Sequence, residues 1–223
     1  MKEKTMKKLS QAIVLASALT AGLAAVQSVN AEVSATASVA TEYLWRGQNL
    51  SGTSGAPAFS GSLDYAHESG LYAGVWAGSG DAALGTETDL YVGFANEVEG
   101  FGYDLGYVTY IYSESAADEF DDAAEFYLGF SYDLAGVKFY KSSDSDVDGL
   151  YTLVSLDFDP VGVAIGNTSD VENEYTHIDL SYAYNDNLTF TYSKIVDQSV
   201  DFEDGGLDKS GRFVVGYSLP IEL

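Results

Sequence analysis

From residue 32 onward the chain repeats one pattern: runs of alternating apolar and polar residues, joined by turns that are short and long by turns. Glu87-Thr88-Asp89-Leu90-Tyr91-Val92-Gly93-Phe94 is typical, with Thr88, Leu90, Val92 and Phe94 on one side and Glu87, Asp89, Tyr91 and Gly93 on the other. A period of two with unlike faces is a strand buried on one face only. Segments of about ten such residues, repeated between turns, predict a transmembrane barrel. The expected fold class is all-β: an antiparallel up-and-down transmembrane β-barrel of about twelve strands.

The N-terminus sets the compartment. Lys2, Lys4, Lys7 and Lys8 precede an Ala-rich apolar stretch, and Val29-Asn30-Ala31 offers small residues where a signal peptidase cuts. Residues 1–31 read as a cleaved signal peptide and 32–223 as the barrel, which places the protein in the bacterial outer membrane. A retained anchor is the alternative, but the apolar run is short and broken by polar residues. No later segment is a continuous apolar span long enough for a membrane helix.

Composition removes several function classes. The 223 residues carry 10 Lys+Arg against 34 Asp+Glu, a net charge of −24, which rules against nucleic acid and favours cations as neighbours. Cysteine is absent, so disulfides and thiolate metal sites are excluded. The only prolines are Pro57, Pro160 and Pro220, as suits a sheet whose N–H groups must pair inside lipid.

Alternation places strands over 34–45, 58–68, 71–78, a fourth around 87–94, 101–112, 122–132, 137–143, 149–158, 161–167, 174–184, 188–196 and 210–219. The third has two nearly apolar faces. Connections at 67–70, 97–100, 133–136, 157–160 and 185–187 are short. Those at 46–57, 79–86, 113–121, 142–148, 168–173 and 197–209 are longer and acidic, holding Asp118, Glu119, Asp121, Asp144, Asp146, Asp148, Asp201, Glu203 and Asp204. Short periplasmic turns and long outer loops are the barrel arrangement, with both termini on the periplasmic side.

Aromatic residues gather at strand ends. Tyr65, Tyr72, Tyr103, Tyr132, Tyr182 and Tyr217 lie near the short turns or the C-terminus, and Tyr43, Trp45 and Trp76 toward the loops. These read as two membrane girdles of outward rings at headgroup depth. High strand propensity alone accounts for their number but not their placement.

The opposite face collects Glu42, Arg46, Asp64, Glu87, Asp89, Asp104, Glu125, Lys138, His177, Asp179 and Arg212. In a barrel these line the lumen, with Glu42, Arg46, Glu87, Asp89 and Glu125 expected as one charged cluster in its outer half. They act either as carboxylates that concentrate cations in a pore, or as a plug in which the three basic residues pair with the acids. Twelve strands fall between filled eight-stranded barrels and open sixteen-stranded ones. The acidic loops are either solvated charge or a place where divalent cations bridge to lipopolysaccharide. Asp144-Ser145-Asp146-Val147-Asp148-Gly149 resembles the start of a calcium loop, but position twelve is Ser155 in place of the required glutamate. No metal or cofactor is expected. Lys141 and Lys194 are placed to reach lipid phosphates. A barrel hydrolase would need Ser, His and an acid together. Only His67 and His177 are available, and no G-x-S-x-G occurs, so no enzyme is expected.

Tyr43-Leu44-Trp45-Arg46-Gly47, Pro57-Ala58-Phe59-Ser60-Gly61, the stretch from Asp64 to Trp76, and Glu87-Thr88-Asp89-Leu90-Tyr91-Val92-Gly93 together resemble the TorF family of porin-like proteins, the Gcw_chp group. Glu125-Phe126-Tyr127-Leu128-Gly129 echoes the pattern. The resemblance implies a proteobacterial outer-membrane barrel with a transport role and no catalytic residues. The expected function is a channel with a narrow acidic lumen passing small hydrophilic, cationic solutes, in contact with outer-membrane lipid and lipopolysaccharide. The alternative is a closed structural or surface-interaction barrel with acidic outer loops and no transport.

Overall fold

The computed structural model describes residues 32–52, 55–114, 123–169, 171–201, 203 and 206–223. The proposed signal peptide and the acidic residues Asp118, Glu119, Asp121 and Asp204 lie outside the described residues.

Fourteen strands follow in chain order. They are β1 (Glu32–Ala40), β2 (Leu44–Trp45), β3 (Gln48–Asn49), β4 (Ala58–Ala66), β5 (Leu71–Asp81), β6 (Gly85–Val98) and β7 (Phe101–Tyr112). The rest are β8 (Ala124–Tyr132), β9 (Ala135–Ser142), β10 (Leu150–Asp157), β11 (Val161–Ser169), β12 (Tyr175–Ala183), β13 (Leu188–Gln198) and β14 (Arg212–Ile221). All but β2 and β3 form one closed barrel of twelve antiparallel strands, each paired with its neighbour in sequence. Closure is made by β1, which pairs with β4 on one side and β14 on the other, in registers such as Ser38↔Ser60 and Ser38↔Ser218. No barrel edge is left to template aggregation. The pairing of β9, β10 and β11, which alternation alone barely defines, runs in unbroken register.

Alternation sorts the side chains to the two faces of the wall. Leu63, Val92, Leu105, Leu128, Val154, Ile165, Leu180 and Phe213 are exposed on the outside, an apolar surface suited to lipid. The start of β1, the end of β14 and the short turns share one end. The turn from β6 to β7 is the two-residue Glu99-Gly100, with φ of 53° and 82°, the geometry that matches the twist of paired strands.

Three sequence expectations need correction. β1 ends at Ala40 instead of continuing to residue 45, because residues 41–52 turn inward. Tyr43 and Trp45 therefore do not face lipid. In β5, whose facing alternation left open, Leu71 is 54% exposed, so Leu71, Ala73 and Val75 point out while Tyr72 and Trp76, expected in the outward girdles, point in. The Tyr72 hydroxyl needs a partner and finds Asp104, which an apolar exterior cannot supply. Finally, the connection expected at 79–86 shrinks to residues 82–84, since both strands run on. Asp81 Oδ1 accepts from the N–H of Ala83 (2.7 Å) and Leu84 (2.8 Å) to close it.

Candidate functional site: a lumen divided by an inward hairpin

β2 and β3 form a small hairpin in the first long connection, paired Leu44↔Asn49 and Trp45↔Gln48. Its turn is Arg46-Gly47, both with positive φ (47° and 79°), the mirror-image turn that two-residue hairpins favour. The tip enters the barrel. Arg46 is 9% exposed, and a Cβ on Gly47 would stand 2.5 Å from His177 Cβ, so only glycine seats there.

The walls hold the hairpin from several sides. Arg46 Nη1 and Nη2 donate to Glu125 Oε1 and Oε2 of β8 at 3.0 and 2.5 Å, a bidentate pair. Tyr110 OH donates to the same carboxylate at 2.7 Å. The guanidinium lies 4.4 Å from the Trp45 ring centroid, 5.0 Å from that of Tyr140 and 4.3 Å from that of Tyr151. Tyr43 OH donates to Glu87 Oε2 of β6 at 2.5 Å, and Gln48 Nε2 donates to Tyr175 OH of β12 at 2.8 Å. Leu50 accepts from Ala82 N at 2.9 Å. The hairpin thus spans from β6 to β12 across the interior.

Beneath it lies an aromatic stack of Tyr110, Tyr127, Tyr140 and Tyr151 with Val108 and Leu153, the core of the molecule. Several tyrosine rings rest on glycines directly across the sheet: Tyr91 on Gly74, Tyr72 on Gly93 and Tyr127 on Gly106. A Cβ at any of the three would strike the ring, so the glycines provide the room that lets tyrosine fill the interior.

The opposite side is lined by small residues. Ser34, Thr36 and Ser38 of β1, Ser60 and Ser62 of β4 and Ser218 of β14 point inward and leave space. A cavity of about 1350 Å³ follows this wall. Its lining runs from Glu32, His67 and Asn185 at the short-turn end to Glu42, Ala58 and Ser79 at the long-loop end. Across from the serines it is bounded by Tyr72, Trp76, Tyr91, Tyr127 and Lys138.

The candidate lumen residues separate into three groups. Glu42, Asp64 and Lys138 line the cavity. Asp64 accepts from Tyr91 OH and, at 2.7 Å, from Ser62 Oγ. Lys138 pairs with Asp104 at 2.9 Å, and Tyr72 OH donates to that same carboxylate at 2.6 Å. Glu87, Asp89, Asp104 and Asp179 point inward and are buried, and Glu125 is half-buried against the hairpin; all five lie outside the cavity lining. Arg212 sits at the loop end and pairs with Asp208 at 2.6 Å. There, hydrogen bonds from Ser210 and the nearby Arg212 hold the Asp208 carboxyl below its usual pKa. The single charged cluster expected in the outer half is therefore two separate sites, Arg46 with Glu125 and Glu87–Asp89 with Tyr43, and Glu42 stands apart.

Of the girdle candidates, Tyr65, Tyr132, Tyr182 and Tyr217 are exposed on the outer wall near the short turns, and Tyr103 lies among them against Phe94. Tyr43, Trp45, Tyr72 and Trp76 are interior, Tyr43 and Trp76 as a tilted pair with centroids 6.1 Å apart. The interior aromatics were missed as such. The signal was present in Tyr43-Leu44-Trp45, which is apolar on both faces and followed by a two-residue turn.

His177 Nε2 lies 2.9 Å from Tyr151 OH and Nδ1 3.2 Å from Asp179 Oδ1. Gly47 of the hairpin packs against His177, and the trio lies outside the cavity lining. His67 is in a turn, its Nδ1 2.8 Å from Ser69 Oγ. In the connection from β9 to β10, Asp146 N donates to Asp144 Oδ1 at 2.8 Å, a turn closed by its own side chain.

The family described as "Bacterial protein of unknown function (Gcw_chp)" matches residues 24–205. No curated protein matches the chain. Among solved structures, the KdgM porin is similar at 10% identity and a TM-score of 0.48, over 84% of this chain and 98% of that one. The same porin in complex with disordered oligogalacturonate gives 0.47 with the same coverage and identity. OccAB4 of Acinetobacter baumannii gives 0.39 at 10% identity, over 74% of this chain and 54% of that one.

Proposed function

We propose that this chain, which belongs to the Gcw_chp family of bacterial proteins, is a porin-like channel of the outer membrane that passes small hydrophilic cations. The observation that carries the reading is the cavity along β14, β1, β4 and β5. Serine and threonine hydroxyls line one side of it, it extends from the short-turn end of the wall to the long-loop end, and it lies inside a closed barrel with an apolar exterior. An apolar exterior suits lipid, and an interior of this length carrying hydroxyls and carboxylates gives hydrated solutes a way across. The hairpin restricts the bore to one side, which limits the channel to small solutes. Glu32, Glu42, Asp64, Asp159, Asp186 and Glu222 line the cavity against Lys138, whose charge Asp104 offsets, so the passage favours cations. This agrees with the transport role that the TorF resemblance implies. The outward tyrosines at the short-turn end serve as the periplasmic girdle, and Lys141 and Lys194 reach lipopolysaccharide phosphates at the other.

A second reading, a closed barrel whose acidic loops meet lipopolysaccharide through divalent cations, draws on the seated hairpin and its bidentate Arg46–Glu125 pair. Planar-bilayer recording of the refolded protein separates the two. Discrete conductance steps with a cation-favouring reversal potential in a salt gradient support the channel. A folded, silent barrel rejects it and favours the closed form.

A further inference from the structure

The interior carboxylates differ in what neutralises them. Glu125 is met by Arg46 at 2.5 Å and Asp104 by Lys138 at 2.9 Å, so neither projects a net charge far from its pair. Asp64 is held differently. Its two hydrogen-bond donors, Tyr91 and Ser62, are neutral hydroxyls, which fix the carboxylate in place and leave its charge intact. Glu42 makes no ion pair among the described residues, its buried Oε2 has no hydrogen-bond partner among them, and the residue borders the cavity. Both residues line the cavity: Asp64 on β4 opposite Gly74, and Glu42 where the chain leaves β1 to enter the hairpin. Glu87 also lacks a cation, but Tyr43 bonds it and it is absent from the lining.

We infer that Glu42 and Asp64 are the residues that set ion preference inside the barrel, Glu42 at the loop end of the passage and Asp64 within it, while Glu32, Asp159, Asp186 and Glu222 are solvent-exposed charge at its short-turn mouth and the carboxylates of β6 to β8 serve the hairpin and the wall. An uncompensated charge on a narrow water-filled path with low-dielectric walls acts on every ion that passes, because the walls focus its field. The class of solute this selects is the small cation, and anions are repelled twice along one path. The inference rests on the channel reading and assigns its selectivity.

Reversal potentials across a KCl gradient test it, in bilayers holding the wild-type protein, Glu42→Gln, Asp64→Asn, the double variant and Glu87→Gln. Heat-modifiable gel mobility checks that each is folded. Each of the first two substitutions is expected to lower the K⁺/Cl⁻ permeability ratio about tenfold, because one charge about 6 Å from the ion across water acts about threefold on K⁺ and about threefold, in the opposite sense, on Cl⁻. The double variant is expected to lose more than either single one, and Glu87→Gln clearly less. Asp64 sits in a hydrogen-bond network, so Asp64→Ser provides the same readout if the asparagine variant does not fold. An unchanged ratio in conducting Glu42→Gln and Asp64→Asn barrels overturns the assignment, and so does an equal effect from Glu87→Gln. A folded but silent wild type overturns the channel reading itself, a result distinct from conduction with unaltered selectivity.

Discussion

Arg46 decides where the first long connection goes. A guanidinium cannot rest in lipid, and here it finds a bidentate carboxylate and three aromatic rings inside the barrel. Removing one partner of a buried pair leaves the other charge uncompensated, at a typical cost of about 3–5 kcal/mol. Arg46→Ala is therefore expected to unseat the hairpin while the wall stays folded, and to raise single-channel conductance; an unchanged conductance would show that the hairpin needs no latch. Gly47→Ala attacks the same element differently. Its left-handed backbone disfavours a Cβ by about 1–2 kcal/mol, and the new methyl meets His177. It is expected to raise conductance too, with Arg46 and Glu125 both intact. The alternation in the sequence was enough to turn Glu87, Glu125 and Asp179 inward, whereas Arg46 is inside because the hairpin carries it there. Alternation carried no information on which of them meet one another, since the Arg46–Glu125 pair joins residues 79 positions apart and depends on the hairpin leaving the wall.

At the scale of elements, what was legible depended on contrast between the two faces. β7 and β8, with Leu105 and Leu128 set against Asp104 and Tyr127, were placed within two residues. The facing of β5 stayed open because both its faces are apolar and small, and Tyr72 and Trp76 went to the girdles by their place near the strand ends. Only the tertiary partner decides: Tyr72 bonds Asp104 and lies over Gly93, neither of which is near in sequence. β1 was overextended for a related reason, because Tyr43-Leu44-Trp45 has the propensity of a strand and does form one, but in the hairpin. The facing of β8 makes a measurable claim. Leu128→Arg puts a charge at the middle of the outer wall, where it costs about 2–4 kcal/mol in lipid. Chemical unfolding from lipid vesicles is expected to show that loss, and a loss below about 0.5 kcal/mol would mean this face does not meet hydrocarbon.

The whole molecule is an asymmetric tube, and its asymmetry comes from residue size. Tyrosines on β7 to β10 and the hairpin fill one side, while serine and threonine on β14, β1 and β4 leave the other open. Strand number and the short-turn and long-loop ends could be read from spacing; the open side could not, because it depends on which strands closure brings together. Closure itself can be tested in a chain that has no cysteine of its own. Ser38 and Ser218 lie across the seam, their Oγ atoms 3.1 Å apart. A Ser38→Cys/Ser218→Cys protein is expected to form a disulfide on mild oxidation and to keep a compact gel mobility after boiling. Failure to cross-link in the folded state would contradict the seam.

The most direct test of the account is whether water reaches one side of the interior and not the other. Single cysteines in place of Ser62, on the cavity wall, and Ser193, fully buried on β13, would be exposed to a small cationic thiol reagent in the folded, lipid-embedded protein. The account predicts rapid modification of Ser62→Cys, slower reaction there with an anionic reagent of the same size, and protection of Ser193→Cys. Protection at both positions, or equal reaction at both, would contradict it.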